Sequence, residues 1–123
     1  MNANHEFDTY PEYLLFLFIH TANADYSFKG AEVDVILNKM EVYFQEGETT
    51  EELHDLFVKM KDAYDKLGDY DIKTIIFNNY KKFSGKTGNK DRIFIDLHEI
   101  ISADGFIHEE ETRVIEELKI LLR

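Results

Sequence analysis

Apolar residues recur at steps of three and four along most of the chain, which is the spacing of one face of an α-helix. Five segments show this pattern, and each predicts an amphipathic helix. Their apolar positions are Val33, Ile36, Leu37, Met40 and Phe44; Leu53, Leu56, Phe57, Met60, Tyr64 and Leu67; Ile72, Ile75, Ile76, Tyr80 and Phe83; Ile93, Leu97, Ile100 and Ile101; and Val114, Ile115, Leu118, Leu121 and Leu122. The third of these helices is predicted to end before a loop at residues 84–88.

A further segment, from Pro11 to about Ala24, begins with a run that is apolar on every face. The run extends from Tyr13 to Ile19 and holds no β-branched residue before Ile19. Pro11 suits the first turn of a helix, where its missing N–H is not needed. We therefore predict an all-α fold of about six helices and no strands, with this segment as an apolar central helix surrounded by the others.

The sequence also repeats weakly at a displacement of 79 residues, which places Ala24-Asp25 on Ala103-Asp104 and Glu32 on Glu111. Each copy joins an apolar helix, a short turn and a helix that opens with acidic residues. We therefore expect two pseudo-repeated helical hairpins packed around the central helix.

Composition is consistent with one domain over residues 1–123, in which residues 1–10 form a loose N-terminal segment. The chain is 44% hydrophobic, which is enough for a compact core. It contains no cysteine, which excludes disulfides, thiolate metal sites and cysteine nucleophiles. No basic segment followed by an apolar one opens the chain, and no apolar run approaches the roughly 20 residues of a membrane span, so we expect a soluble, cytoplasmic protein.

The net charge of −11 argues against nucleic acid as a partner, because nucleic acid is itself a polyanion. One stretch departs from this acidic background, since between residues 73 and 92 six basic side chains accompany a single acid. The basic residues are Lys73, Lys81, Lys82, Lys86, Lys90 and Arg92. This separation of positive from negative charge favours docking to a protein partner or self-association. The alternative is that these basic residues only form a solvated helix face.

No catalytic motif in the sequence is complete, so we expect no enzymatic activity. His98-Glu99 begins like a zinc-protease motif, but Ser102 stands where the second histidine is required. Gly85-Lys86-Thr87 resembles the end of a phosphate loop, but Tyr80 occupies the position of its first glycine. The histidines lack the pairing of metal ligands, and each is predicted to lie at the surface or at its boundary. They are His5, His20, His54, His98 and His108.

The two acidic turns are the best candidates for a binding site. The segment from Asp104 to Glu111 matches the second half of an EF-hand loop, but Ile100 and Ser102 stand where the first half requires oxygen ligands. Glu111 and Glu32 fall on the apolar sides of their helices, and a buried carboxylate needs a partner. A Ca²⁺, Mg²⁺ or Mn²⁺ ion shared by both turns would satisfy this need. The predicted ligands are Asp25, Glu32, Asp104 and Glu111.

An alternative explanation needs no metal. An Asp before a glycine commonly stabilises a turn, and a Glu in the first turn of a helix caps free N–H groups and interacts favourably with the helix dipole. In that case the same acids serve only as helix caps.

At these residues the chain resembles the TerB-like family, a small helical domain named for tellurite resistance. The resemblance rests first on residues 103–107, which read Ala-Asp-Gly-Phe-Ile and are followed by Glu111. A looser copy of this pattern consists of Ala24-Asp25 and Glu32, and the order of the helices also agrees. It implies an all-helical fold of two related halves, and an acidic cluster for a divalent metal at Asp25, Glu32, Asp104 and Glu111. It also implies a role in stress-linked assemblies. The first copy departs from the pattern, because Tyr26 replaces the glycine and Lys29 adds a positive charge.

These observations predict a non-enzymatic, TerB-like helical domain. It binds a divalent cation through its paired acidic turns and acts as a stress-related protein-interaction module. The alternative is a metal-independent interaction or scaffold domain in which the acidic residues only cap helices.

Overall fold

The structure is a computed structural model that describes residues 1–23, 30–43, 50–87, 90–102 and 109–122. Six helices account for most of these residues, and the described ranges contain no strand. The helices are α1 (Tyr10–Ala22), α2 (Gly30–Tyr43), α3 (Thr50–Asp65), α4 (Asp69–Thr87), α5 (Lys90–Ile101) and α6 (Glu109–Leu121). The all-α class with six helices is therefore confirmed.

Helix α1 begins at Tyr10 because Thr9 caps it. The Thr9 hydroxyl oxygen accepts a hydrogen bond from the backbone N–H of Glu12 at 3.3 Å, and the hydroxyl donates to the Glu12 carboxylate at 3.1 Å. Every side chain from Tyr13 to Ala22 is buried, and α1 contacts each of the other five helices. Burial on all sides explains why this segment is apolar all round, since no face of it meets water.

The other helices are amphipathic, and most of the apolar positions read from the sequence lie in the core. Buried examples come from each of them: Ile36, Met40, Leu53, Phe57, Met60, Tyr64, Ile72, Ile75, Ile76, Phe83, Ile93, Leu97, Ile115, Leu118 and Leu122. A second group is partly buried against that core: Val33, Leu37, Leu56, Leu67, Tyr80, Val114 and Leu121. The side chains of Phe44, Ile100 and Ile101 lie outside the described set. Periodicity therefore located the core faces of α2 to α6.

Helix α4 is longer than its sequence predicts. Residues 84–87 continue the helix, although we predicted a loop at residues 84–88. A single glycine inside a helix costs only about 1 kcal/mol, which the rest of a long helix can offset. At its N-terminal end α4 begins directly after Gly68, whose carbonyl accepts a hydrogen bond from the backbone N–H of Ile72 at 3.0 Å. Only residues 66–68 separate α4 from α3.

The N-terminal segment is held against α4 at residues 5–7, whereas the sequence predicted a loose segment over residues 1–10. Phe7 is buried in the core, and its backbone N–H donates to the side-chain oxygen of Asn79 at 2.9 Å. The amide nitrogen of Asn79 donates to the carbonyl of His5 at 3.0 Å. Lys82 donates to the carbonyl of Phe7 at 2.6 Å. These contacts fix the segment beside α4.

The predicted repeat depends on the turns at residues 24–29 and 103–108, which lie outside the described residues. The relation between two helical hairpins therefore stays a prediction. Of the helices in the described ranges, none combines the length and the apolar character needed to cross a membrane.

Candidate functional site

One exposed face of α4 carries two aromatic rings and two lysines. Tyr70 is 78% exposed and Phe77 is 36% exposed. Lys73 and Lys81 lie on the same side, because residues three, four or seven positions apart share one face of a helix. The Lys81 Nζ lies 4.3 Å from the centroid of the Phe77 ring, which is a cation–π contact. We call Tyr70, Lys73, Phe77 and Lys81 the aromatic-lysine face.

A groove adjoins the aromatic-lysine face on the side of α6. A depression of about 330 Å³ is lined by residues of α4 and by Leu121 of α6. The Lys73 Nζ lies 3.2 Å from the carboxylate of Asp69 and 3.9 Å from that of Glu117, so it spans the gap between the two helices. Ile120 on α6 is 62% exposed. The groove therefore joins apolar surface from both helices to the ammonium group of Lys73.

His20, near the end of α1, lies between two further cavities. One has a volume of about 220 Å³ and shares Lys73 and Leu121 with the groove. Its lining residues are His20, Lys73, Glu117, Leu118, Ile120 and Leu121. The other has a volume of about 300 Å³ and is more polar. Its lining residues are His20, Asn23, Tyr64, Asp65, Leu67, Asp69, Ile72 and Val114.

The imidazole of His20 is buried, and its only hydrogen bond in the described part of the chain joins Nδ1 to the Tyr64 hydroxyl at 2.8 Å. Burial lowers the pKa of His20 to about 4; the nearby carboxylate of Asp69 opposes this effect, and the ammonium of Lys73 adds to it. At neutral pH the ring is therefore uncharged, with one nitrogen that donates and one that accepts.

The sequence prediction that His20 lies at the surface or its boundary is wrong, because α1 is buried on every side at this position. A signal was present in the sequence. His20 directly follows the apolar run and lies one helical turn after Phe16, so it shares a face with a core residue. Tyr64, its partner, stands on the predicted apolar face of α3.

A second buried polar contact joins α2 to α5. The Lys39 Nζ lies 2.9 Å from a carboxylate oxygen of Asp96, whose side chain is only 1% exposed, and it also contacts Glu99. Burial acts to lower the pKa of Lys39, but the hydrogen bonds to Glu99 and Asp96 outweigh it, so the pKa is raised. The lysine stays charged and neutralises a carboxylate in the interior, which is a structural role.

The structure separates the six basic residues that were predicted to contact a partner. Lys73 and Lys81 belong to the aromatic-lysine face. Lys82 lies about a quarter-turn further round the helix and holds the N-terminal segment through the Phe7 carbonyl. The side chains of Lys86, Lys90 and Arg92 are outside the described set. Two of the six basic residues therefore stand beside exposed aromatic rings.

The four predicted cation ligands are also outside the described set. Asp25 and Asp104 lie in the turns at residues 24–29 and 103–108, and the side chains of Glu32 and Glu111 are not described. Among the side chains that the structure does describe, no group of three histidines or acids is placed to hold a metal ion. The shared cation site stays a prediction from the sequence.

Comparison with models of known protein families, with curated proteins and with solved structures found no match to this chain.

Proposed function

We propose that the protein is a non-enzymatic, TerB-like protein-interaction domain that binds an acidic segment of a partner protein on the aromatic-lysine face of α4. The observation that supports this most directly is the exposure of Tyr70 and Phe77 beside Lys73 and Lys81. An exposed aromatic ring contributes little to the stability of its own fold, but aromatic rings dominate the binding energy of many protein interfaces. The stress-linked role remains what the family resemblance implies.

The chemistry of the partner follows from the chemistry of the face. Lys81 is complementary to a carboxylate, and so is Lys73 when an incoming acid replaces Asp69 or Glu117 beside it. Tyr70 and Phe77 are complementary to apolar side chains. A segment that alternates acids with aliphatic or aromatic residues would satisfy both requirements. Charges are screened beyond about 8 Å at physiological ionic strength, so the charges nearest the face matter more than the net charge of the chain. Those charges are Lys73 and Lys81, with Asp69 and Glu117 beside Lys73.

Peptide display tests this proposal without knowledge of the natural partner. We expect peptides selected on the purified protein to be rich in acids and large apolar residues. Phe77→Ala is expected to lower the affinity for a selected peptide by about 30-fold, because the loss of an aromatic anchor costs about 2 kcal/mol of binding free energy. Fluorescence polarisation with a labelled peptide measures the change. Circular dichroism checks that the exposed substitution leaves the fold intact.

Ile95→Ala is the matched control, since Ile95 is also an exposed apolar residue, at 51%, but belongs to α5. It should leave peptide affinity unchanged. Selected peptides that are basic, or that bind Phe77→Ala as well as the parent, would contradict the proposal. Concentration-dependent dimerisation that Phe77→Ala abolishes would instead identify a second copy of the chain as the occupant.

The divalent cation is a separate part of the proposed function, and it rests on the sequence alone. A cation that binds only the folded protein raises its stability, by about 2.7 kcal/mol when its concentration is 100 times the Kd. We expect millimolar Ca²⁺, Mg²⁺ or Mn²⁺ to raise the Tm of EDTA-treated protein, and Asp104→Asn to reduce the response. If no cation changes the Tm, the alternative holds, in which the acids only cap helices.

A further inference from the structure

The His20 imidazole has one nitrogen without a hydrogen-bond partner among the described residues. Nδ1 is bonded to Tyr64, whereas Nε2 has no hydrogen-bond partner in the described part of the chain. An imidazole with 8% exposure has little access to bulk water. A buried polar atom without a partner is unfavourable, so a group that enters the neighbouring cavity and bonds to this nitrogen gains that interaction.

The cavity beside His20 has the size of a small ring. Its volume is about 220 Å³, and three of its six lining residues are the aliphatic Leu118, Ile120 and Leu121. An apolar cavity of about 150 Å³ is large enough to bind benzene, so this one has space for a ring with small substituents such as a methyl and a hydroxyl group. Ile120 is exposed, so the cavity can be reached from solvent.

We propose that this cavity is a binding site for a small ring compound that carries one neutral hydroxyl group, of which a phenol is the simplest. The ring packs against Leu118, Ile120 and Leu121, and the hydroxyl bonds to Nε2 of His20. The proposal goes beyond protein docking, because the ligand occupies the cavity rather than the aromatic-lysine face.

A hydroxyl fits this site better than a charged group does. The tautomer of His20 decides whether Nε2 donates or accepts, and a hydroxyl can complement either form. A carboxylate only accepts and an ammonium only donates. Either ion would also lose its hydration among aliphatic walls. Lys73, the cation among the described lining residues, is already placed between Asp69 and Glu117.

Titration with 4-methylphenol, followed by NMR of the His20 imidazole nitrogens, tests the proposal. We expect a saturable shift of the Nε2 signal. Toluene has the same ring and methyl group without the hydroxyl, and it should bind about ten-fold more weakly, as expected for the loss of one hydrogen bond. Equal binding of the two compounds, or no shift at His20, would overturn the proposal.

Leu121→Trp should occlude the cavity and reduce 4-methylphenol binding at least ten-fold. Ile95→Trp, which adds the same side chain at an exposed position of α5, is the matched control and should bind as the parent does. Unchanged binding by folded Leu121→Trp protein would place the ligand elsewhere and would also overturn the proposal. The comparison of 4-methylphenol with toluene on the parent protein needs no variant, so it holds even if Leu121→Trp fails to fold.

Two further measurements identify the source of the ring and separate this proposal from the docking proposal. Binding of N-acetyltyrosinamide at the same His20 signal supports a tyrosine side chain as the natural occupant, whereas binding of 4-methylphenol alone supports a free small molecule. Phe77→Ala should leave 4-methylphenol binding unchanged, because Phe77 does not line this cavity. Loss of binding in that variant would overturn the separation of the two sites.

Discussion

Lys39→Met is expected to lower the free energy of unfolding by about 3 kcal/mol or more. The substitution removes one partner of a buried ion pair and leaves the carboxylate of Asp96 in an interior where its side chain is 1% exposed. Breaking a buried pair from one side typically costs about 3–5 kcal/mol, because the remaining charge stays desolvated and loses the attraction of its partner. Asp96 makes a further interaction, so we expect the lower end of this range. Urea unfolding followed by circular dichroism measures the loss.

The double variant Lys39→Met with Asp96→Leu makes the test sharper. When both charges are replaced by apolar groups, neither member of the pair is left alone in the interior, and Glu99, the other partner of Lys39, is exposed. We therefore expect the double variant to recover most of the lost stability. Lys61→Met is the surface control, because the Lys61 ammonium contacts Asp65 at 2.7 Å on the exposed side of α3. Such exposed pairs contribute about 0.3–0.5 kcal/mol. Similar losses for Lys39→Met and Lys61→Met would show that burial of Asp96 does not control the effect.

Acidification is expected to destabilise the protein through His20. The pKa of His20 is about 4 in the folded protein, against an ordinary value of 6.5. Between these two pH values the unfolded chain binds a proton that the folded chain does not, so the free energy of unfolding falls as the pH falls. At about 1.4 kcal/mol per unit of pKa, His20 accounts for a loss of about 2 kcal/mol between pH 7 and pH 5. Above pH 7 the contribution of His20 to the free energy of unfolding stays nearly constant, because the ring is uncharged in both the folded and the unfolded chain.

Urea unfolding at pH 7 and pH 5 measures this effect in the parent and in His20→Gln, whose amide does not titrate in this range. The variant should be less stable at pH 7, because the contact with Tyr64 is altered, but its stability should change less with pH. His54→Gln is the control, since His54 is exposed on α3. A pH dependence that His20→Gln leaves unchanged would refute the assignment to His20.

The sequence predicted helices well where a helix has one apolar face. In α2 to α6 the spacing of apolar residues directly reflects which side packs on the core, so Ile36, Met40 and Leu97 could be placed from their positions alone. The end of α4 was harder to predict. A glycine at position 85 is a modest local cost, and no local rule tells whether the rest of the helix offsets it.

The candidate site was less accessible to sequence reasoning, for two physical reasons. The contact between Phe7 and Asn79 joins residues 72 positions apart, and such pairing depends on the tertiary fold rather than on any periodicity. His20 was assigned by its own polarity, although the burial of a residue depends on its surroundings. By contrast, the separation of Lys82 from Lys73 and Lys81 follows from the 3.6-residue helical repeat, so it could have been deduced once α4 was recognised.

The position of α1 in the chain also has a consequence for how the protein is made. Its ten buried residues contact every later helix, as far as α6 at residues 109–121. During synthesis α1 leaves the ribosome before the other five helices, and its apolar surface is completely covered only after α6 has followed. At about 5–20 residues per second this interval lasts several seconds, which makes the nascent chain a target for chaperones that bind apolar segments.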